Sequence, residues 1–182
     1  MRTAISRRIV RALIVLGVLL CALDASLLLA SEPPGTATAV IDAPPEATWK
    51  SADKALRDAG YRIVEDNSPT FVSGRIGRPV RHWGEEDEAV KELRRICRFD
   101  ERMSLSNLKR FSEYYVTLDV QVHDAEPGKS RVVVIAKIIA VERTRGRRGM
   151  PRPTGLPSLG VAENDLLQKI REGVGMPPVP PS

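Results

Sequence analysis

Apolar and polar residues recur with two different periods along this chain, and these periods predict the elements of one folded domain. Alternation and β-branched runs predict strands over residues 36–41, 61–65, 70–76, 113–122 and 131–143. Apolar residues spaced by three and four predict helices between Asp42 and Gly60, over residues 86–98 and over residues 162–174. The predicted order is therefore β-α-β-β-(α)-β-β-α.

The fourth predicted strand has the clearest alternation in the sequence. Its apolar positions are Tyr114, Val116, Leu118, Val120 and Val122. This pattern is typical of a sheet that is covered on one face. The next strand contains the run Val-Val-Val-Ile at residues 132–135, which favours a central position paired with its predecessor. Turn-forming residues at 66–69 join the second and third strands into an antiparallel hairpin.

Each predicted helix has one apolar face. These faces contain Trp49, Ala52, Leu56 and Ala59 in the first helix, Val90, Leu93, Ile96 and Cys97 in the second, and Leu166, Leu167, Ile170 and Val174 in the third. Asp42 or Ala43 is the expected cap of the first helix, with proline in its first turn. We therefore predict an α+β, helix-grip-like domain with helices packed on one face of an antiparallel sheet.

The N-terminus has a different pattern, which predicts export. Residues 9–30 are almost entirely apolar and follow Arg2, Arg7 and Arg8. As a helix this run would be about 33 Å long, enough to cross a hydrocarbon core of about 30 Å, and the positive charge before it keeps the N-terminus in the cytoplasm. We predict a signal or anchor segment at 1–30, a linker at 31–35, an envelope domain at 36–175 with a helical insertion at 79–112, and a proline-rich tail at 176–182.

Three fates of the N-terminal segment stay open. A cleaved signal peptide is favoured by Ala30 at the end of the run, although Leu28 is not the small residue expected two positions earlier. A lipoprotein would be lipidated on Cys21, which follows an apolar run of suitable length but has Leu20 before it. An uncleaved anchor is long enough and carries one awkward charge, Asp24. All three place the domain outside the cytoplasm, in the periplasm or the outer envelope.

The basic excess of the chain is largely a property of its N-terminus. The formal net charge is +5, but residues 31–182 contain 24 basic and 22 acidic residues. Nucleic-acid binders usually have a basic excess over the whole domain and aromatic residues for stacking, and this chain has only eight aromatic residues. We therefore expect no nucleic-acid partner.

Three local groups of residues could indicate metal binding or catalysis, but a purely structural role is favoured for each of them. His82 precedes four carboxylates at 85–88, which suit the first turn of a helix better than a metal site without a second nearby ligand. His123 and Asp124 are neighbours on a strand, so their side chains diverge. Cys97 is a lone cysteine on an apolar helix face. We predict no disulfide, no cofactor, no metal and no catalysis.

The strongest local charge bias lies at residues 143–152. It contains five arginines and no acidic residue: Arg143, Arg145, Arg147, Arg148 and Arg152. Glycine and proline make it a loop from which arginines can reach anionic headgroups or an acidic partner, although a solvated connection has the same composition. Trp83, beside Gly84, is a further candidate anchor for a partner, whereas Trp49 is predicted to be in the core.

Short motifs between residues 36 and 174 resemble BamC-like envelope lipoproteins. They are Pro44-Pro45 followed by Trp49, Ala55-Leu56, Gly60-Tyr61-Arg62-Ile63 and Gly74-Arg75-Ile76. The resemblance implies a helix packed across a curved antiparallel sheet and a noncatalytic accessory or assembly role at the outer membrane. We therefore expect a cell-envelope protein that binds a protein partner or an anionic surface. The alternative is an envelope domain with a ligand-binding or enzymatic pocket between helix and sheet, which would show convergent polar side chains inside the fold.

Overall fold

The computed structural model describes residues 35–80, 87–98, 111–142 and 153–177. By its own contacts the chain divides into Met1–Pro33 and Pro34–Ser182, and every described residue belongs to the second unit. The predicted export segment with Cys21 therefore lies outside the described residues, as does the end of the proline-rich tail. Among the described helices, none combines the length and apolar character needed to cross a membrane.

The described residues of the second unit form six strands and three helices. In chain order they are β1 (Thr36–Ile41), α1 (Pro45–Asp58), β2 (Arg62–Asn67), β3 (Phe71–Pro79), α2 (Glu88–Ile96), β4 (Phe111–Asp124), β5 (Ser130–Glu142), β6 (Pro153–Leu156) and α3 (Val161–Gly173). The predicted α+β class is confirmed, and eight of the nine elements were predicted within a few residues. The short strand β6 was missed, because residues after 143 were interpreted as a connection from strand to helix.

All described strand pairs of the sheet are antiparallel, and β5 is an interior strand, paired along both of its edges. The order is β1-β5-β4-β3-β2, with β6 also pairing with β5. One edge of β5 is paired with β4 along its whole length. The other edge is shared, because β1 covers Ser130 to Ile135 and β6 covers Ile138 to Val141. The predicted central position of the β-branched strand is confirmed.

The core lies between the sheet and the three helices. The five alternating residues predicted for β4 are at most 1% exposed, as are Val132 and Val134 of β5. From the other side, each helix contributes its predicted apolar face, with Leu56 in α1, Leu93 in α2 and Ile170 in α3 completely buried. Trp49 is only half-buried at the margin of this core, where its Nε1 donates a hydrogen bond to the Phe71 carbonyl at 3.3 Å.

Helix α1 begins one or two residues later than predicted. Pro44 is the N-cap and Pro45 the first helical residue, so the expected cap at Asp42 or Ala43 is wrong. A residue that precedes proline is excluded from the helical region of backbone space, and Pro44 accordingly is extended, with ψ of 153°. The two prolines together therefore determine where the helix begins.

The face of the sheet opposite the helices is not uniformly exposed. Asp119 of β4 is 8% exposed, although the alternation predicts it to point to solvent. It accepts hydrogen bonds from Ser73 Oγ and Lys137 Nζ, both at 2.6 Å. The neighbouring strands thus neutralise and cover this carboxylate, which explains why a charged residue is tolerated in the middle of the sheet.

Candidate functional site

The residues predicted to bind a partner lie outside the described residues. These are Arg143, Arg145, Arg147, Arg148, Arg152 and Trp83, together with the possible lipidation site Cys21. Their described neighbours, however, meet at one end of the sheet. Pro79 pairs with Glu113, Phe111 pairs with Glu142, and Val141 pairs with Pro153. The three segments that contain residues 81–86, 99–110 and 143–152 are therefore all attached at this end, which we call the loop end.

Charge is distributed unevenly between the loop end and the rest of the domain. Residues 81–86, 99–110 and 143–152 together contain nine Lys and Arg residues and four Asp and Glu residues. The described residues contain fifteen Lys and Arg residues and seventeen Asp and Glu residues. The near-neutral charge of residues 31–182 is therefore the sum of a cationic set of segments and a slightly anionic remainder. Positive charge is thus concentrated in the segments that are attached at the loop end.

A second feature was not predicted from the sequence. A pocket of about 170 Å³ lies where α1 ends and where α2 and α3 approach the sheet. Its apolar walls include Ile96, Leu118 and Leu166. Five polar side chains also line it, namely Tyr61, Glu92, Arg95, Asp165 and Lys169. Polar side chains therefore converge on a pocket between helices and sheet, which is the arrangement expected of the alternative, ligand-binding function.

The two carboxylates of the pocket are engaged by neighbouring side chains. Arg95 Nη1 contacts Asp165 Oδ2 at 2.7 Å and so joins α2 to α3. Glu92 Oε2 accepts a hydrogen bond from the Tyr114 hydroxyl at 2.9 Å and lies 3.3 Å from Arg78 Nε. Burial, together with the charge of Glu92, raises the pKa of the completely buried Tyr114. Both carboxylates of the pocket are thus paired with neighbouring donors.

Cys97 and Glu163 form a buried pair beside the N-terminus of α3. Burial, and then the negative charge of Glu163, raises the pKa of the Cys97 thiol to about 12. A thiol with such a pKa is protonated at neutral pH and is a poor nucleophile. Glu163 is completely buried, and its Oε2 accepts a hydrogen bond from Ser158 Oγ at 3.0 Å while Oε1 has no partner. Cys97 therefore packs as predicted, on the apolar face at the end of α2.

The other local groups have structural positions where they are described. Asp87 is the N-cap of α2, its side chain accepting a hydrogen bond from Ala89 N at 2.9 Å, and Glu88 is in the first turn, as predicted. His82 lies outside the described residues. His123 and Asp124 are the exposed last residues of β4 and face opposite sides of the strand. Among the described residues, no three His, Cys, Asp or Glu side chains are grouped to hold a metal ion.

Alkaline pH is expected to destabilise the domain through its buried tyrosines and Cys97. Burial raises the pKa of Tyr61 from 10.0 to about 12. It also raises the pKa of the Cys97 thiol, from 9.0 to about 12. The folded state then retains these protons longer than the unfolded state does. Their contribution to the free energy of unfolding is complete below pH 9 and is lost as pH rises towards 12, by at most about 1.4 kcal/mol per pH unit for each group.

Urea unfolding between pH 8 and 11 measures this loss. We expect Tyr61→Phe to decrease the slope of unfolding free energy against pH, because one of the titrating groups is removed. A slope that is unchanged in Tyr61→Phe would contradict the assigned role of Tyr61.

The residues of the pocket escaped prediction because they lie at the margins of the helix faces. Arg95 and Lys169 each precede a buried isoleucine in sequence, Ile96 and Ile170. Periodicity places such residues beside an apolar stripe but does not show that two stripes leave a space between them. The signal available in the sequence was the position of Tyr61 directly after a helix-ending Gly60.

Comparison with protein-family models and with curated protein sequences finds no match for this chain.

Proposed function

We propose that this chain is a noncatalytic cell-envelope protein, an accessory or assembly factor that binds a protein partner or an anionic surface at the loop end. The observation that carries the proposal is the attachment of three segments, with nine basic and four acidic residues, at one end of the sheet. Arginine is suited to this role because its planar group donates paired hydrogen bonds to carboxylates and phosphates.

The proposal includes a location outside the cytoplasm and association with the membrane through residues 1–30. Its support is the arginine-flanked apolar segment of the sequence and the resemblance to BamC-like lipoproteins. Intact mass spectrometry of protein recovered from membranes tests it. A full-length mass in the membrane indicates an anchor, loss of about 30 residues indicates a cleaved signal peptide, and an acylated chain beginning at Cys21 indicates a lipoprotein. Recovery of the full-length chain in the cytoplasmic fraction would contradict the proposed location.

Reversing charge at the loop end tests the binding surface. The triple variant Arg145→Glu, Arg147→Glu and Arg148→Glu is expected to lose at least about tenfold in affinity for envelope partners or anionic liposomes, since each basic residue near an anionic surface contributes about 1 kcal/mol. Far-ultraviolet circular dichroism and the thermal midpoint should stay unchanged, because the substitutions leave every residue of the described core in place.

The matched control changes three cations elsewhere by the same amount of charge. Arg62→Glu, Lys129→Glu and Arg131→Glu replace side chains of β2, of the turn between β4 and β5, and of β5, away from the loop end. The control variant is expected to bind as the unmodified protein does. Equal loss in both triple variants would show that only the overall charge matters, and the proposed surface would then be wrong.

The alternative function, a ligand-binding envelope domain, is favoured by one observation, the pocket lined by Tyr61, Arg95 and Lys169. It does not exclude the loop-end surface, since the two regions involve different residues.

A further inference from the structure

We propose that the pocket between α1, α2 and α3 binds a small apolar carboxylate, comparable to benzoate in size, with its carboxylate held by Lys169 and Tyr61. The proposal concerns a site separate from the loop end and does not depend on the function proposed there.

The dimensions of the pocket set the size of the ligand. An apolar cavity of about 150 Å³ in a protein interior can hold benzene, and this pocket has a volume of about 170 Å³. Ile96, Leu118 and Leu166 supply apolar walls from α2, β4 and α3. Leu118 is only 1% exposed, so a group that reaches it is removed from water. One ring or one branched aliphatic chain fits these dimensions.

The balance of donors and acceptors sets the charge of the ligand. Asp165 and Glu92, the acidic side chains of the pocket, already accept hydrogen bonds or ion pairs from Arg95, Arg78 and Tyr114. Among the described residues, by contrast, the Lys169 ammonium and the Tyr61 hydroxyl make no hydrogen bond or ion pair. The pocket therefore has two donors that are not engaged by the described part of the protein, the solvent-exposed ammonium of Lys169 and the hydroxyl of Tyr61, whereas both of its carboxylates are paired.

A carboxylate satisfies both donors, because each of its oxygens accepts hydrogen bonds and its charge complements Lys169. The apolar remainder of the ligand then lies against the three aliphatic side chains. A cationic ligand would instead compete with Arg95 and Arg78 for carboxylates that they already neutralise. The donors and apolar side chains of the pocket thus favour a ligand with one carboxylate and a compact apolar remainder.

A series of three isosteric probes tests the charge preference with the full-length chain in neutral detergent. Benzoate, benzamide and benzylamine have similar shapes and carry negative, no and positive charge. Titration is followed by the methyl resonances of Ile96, Leu118 and Leu166. We expect saturable shifts with benzoate and affinity at least about tenfold weaker for benzamide, since hydrogen bonds to charged groups contribute about 1.5–3 kcal/mol. Benzylamine should bind no better than benzamide.

Two variants and their matched controls test the donors. Lys169→Gln and Tyr61→Phe are each expected to weaken benzoate binding by roughly tenfold and to leave benzamide binding nearly unchanged. Lys50→Gln on α1 and Tyr115→Phe on β4 remove an ammonium group and a phenol hydroxyl that do not line the pocket. Both control variants should bind benzoate as the unmodified protein does. The triple arginine variant of the loop end should also bind benzoate normally. This result would distinguish the proposed pocket from the proposed binding surface at the loop end.

Three results would overturn the proposal. One is the absence of saturable methyl shifts with benzoate. Another is equal affinity for benzoate and benzamide. The last is tighter binding of benzylamine, which would show that the carboxylates of the pocket dominate its chemistry.

Discussion

Replacement of Gly74 by valine is expected to lower the free energy of unfolding by about 3 kcal/mol. Gly74 lies in β3 and faces the helices. A Cβ at this position would be 2.9 Å from the Tyr61 Cβ and 3.0 Å from Leu56 Cδ2. The Tyr61 Cβ cannot rotate away, because it is bonded to the backbone directly after α1. The chain must therefore move at the junction of helix and sheet, and urea unfolding at neutral pH measures the cost.

Two other glycines of the sheet provide controls with the same substitution. A Cβ at Gly77 would be 2.9 Å from Tyr115 Cε1, but that ring is half-exposed and can swing outward. A Cβ at Gly155 in β6 would meet no atom within 4 Å. We expect Gly77→Val to cost less than Gly74→Val, and Gly155→Val to change stability by less than about 0.5 kcal/mol. Similar losses in all three variants would refute the steric explanation for Gly74.

The alternation of β4 illustrates which parts of the fold can be predicted from sequence. Tyr114, Leu118 and Val122 are buried as expected, because the direction of a side chain on a strand is determined by its immediate neighbours in sequence. The same argument correctly assigned the buried face of α2. Local periodicity therefore predicts the elements and the face that each one buries.

Strand β6 could not be predicted in this way. Its sequence, Pro-Thr-Gly-Leu, includes two residues that are disfavoured in strands. It forms because β1 pairs only with Ser130 to Ile135 of β5, which leaves the edge from Ile138 to Val141 without a partner. Backbone groups at such an edge require hydrogen bonds, and the returning chain supplies them. The formation of β6 therefore depends on the length of β1, a strand that is distant from β6 in sequence.

The two candidate sites also differ in how far local sequence patterns could predict them. The arginines at 143–152 were found from composition alone, but strand pairing determines that their segment is attached at the same end of the sheet as the segments at 81–86 and 99–110. The pocket depends on the distances among α1, α2 and α3, and no local pattern contains those distances. Charge bias could therefore be predicted, whereas the joint position of Tyr61 and Lys169 required the structure.

Removal of one buried hydroxyl is expected to cost more than removal of both members of its pair. Thr48 of α1 and Ser130 of β5 are both completely buried, and their hydroxyl oxygens are 2.8 Å apart. Valine preserves the shape of Thr48 but leaves the Ser130 hydroxyl without this partner. We expect Thr48→Val to lower the free energy of unfolding by about 1–3 kcal/mol, the usual cost of an unsatisfied buried polar group.

The double variant Thr48→Val, Ser130→Ala should recover much of this loss, because replacing both partners by apolar groups is nearly neutral. A double-mutant cycle in urea, with Ser130→Ala as the second single variant, measures the coupling, which we expect to be at least about 1 kcal/mol. Thr38→Val, at an exposed position of β1, serves as the control and should have little effect. Additive losses in the cycle would mean that the two hydroxyls contribute independently, and that the contact between α1 and the start of β5 depends on apolar packing alone.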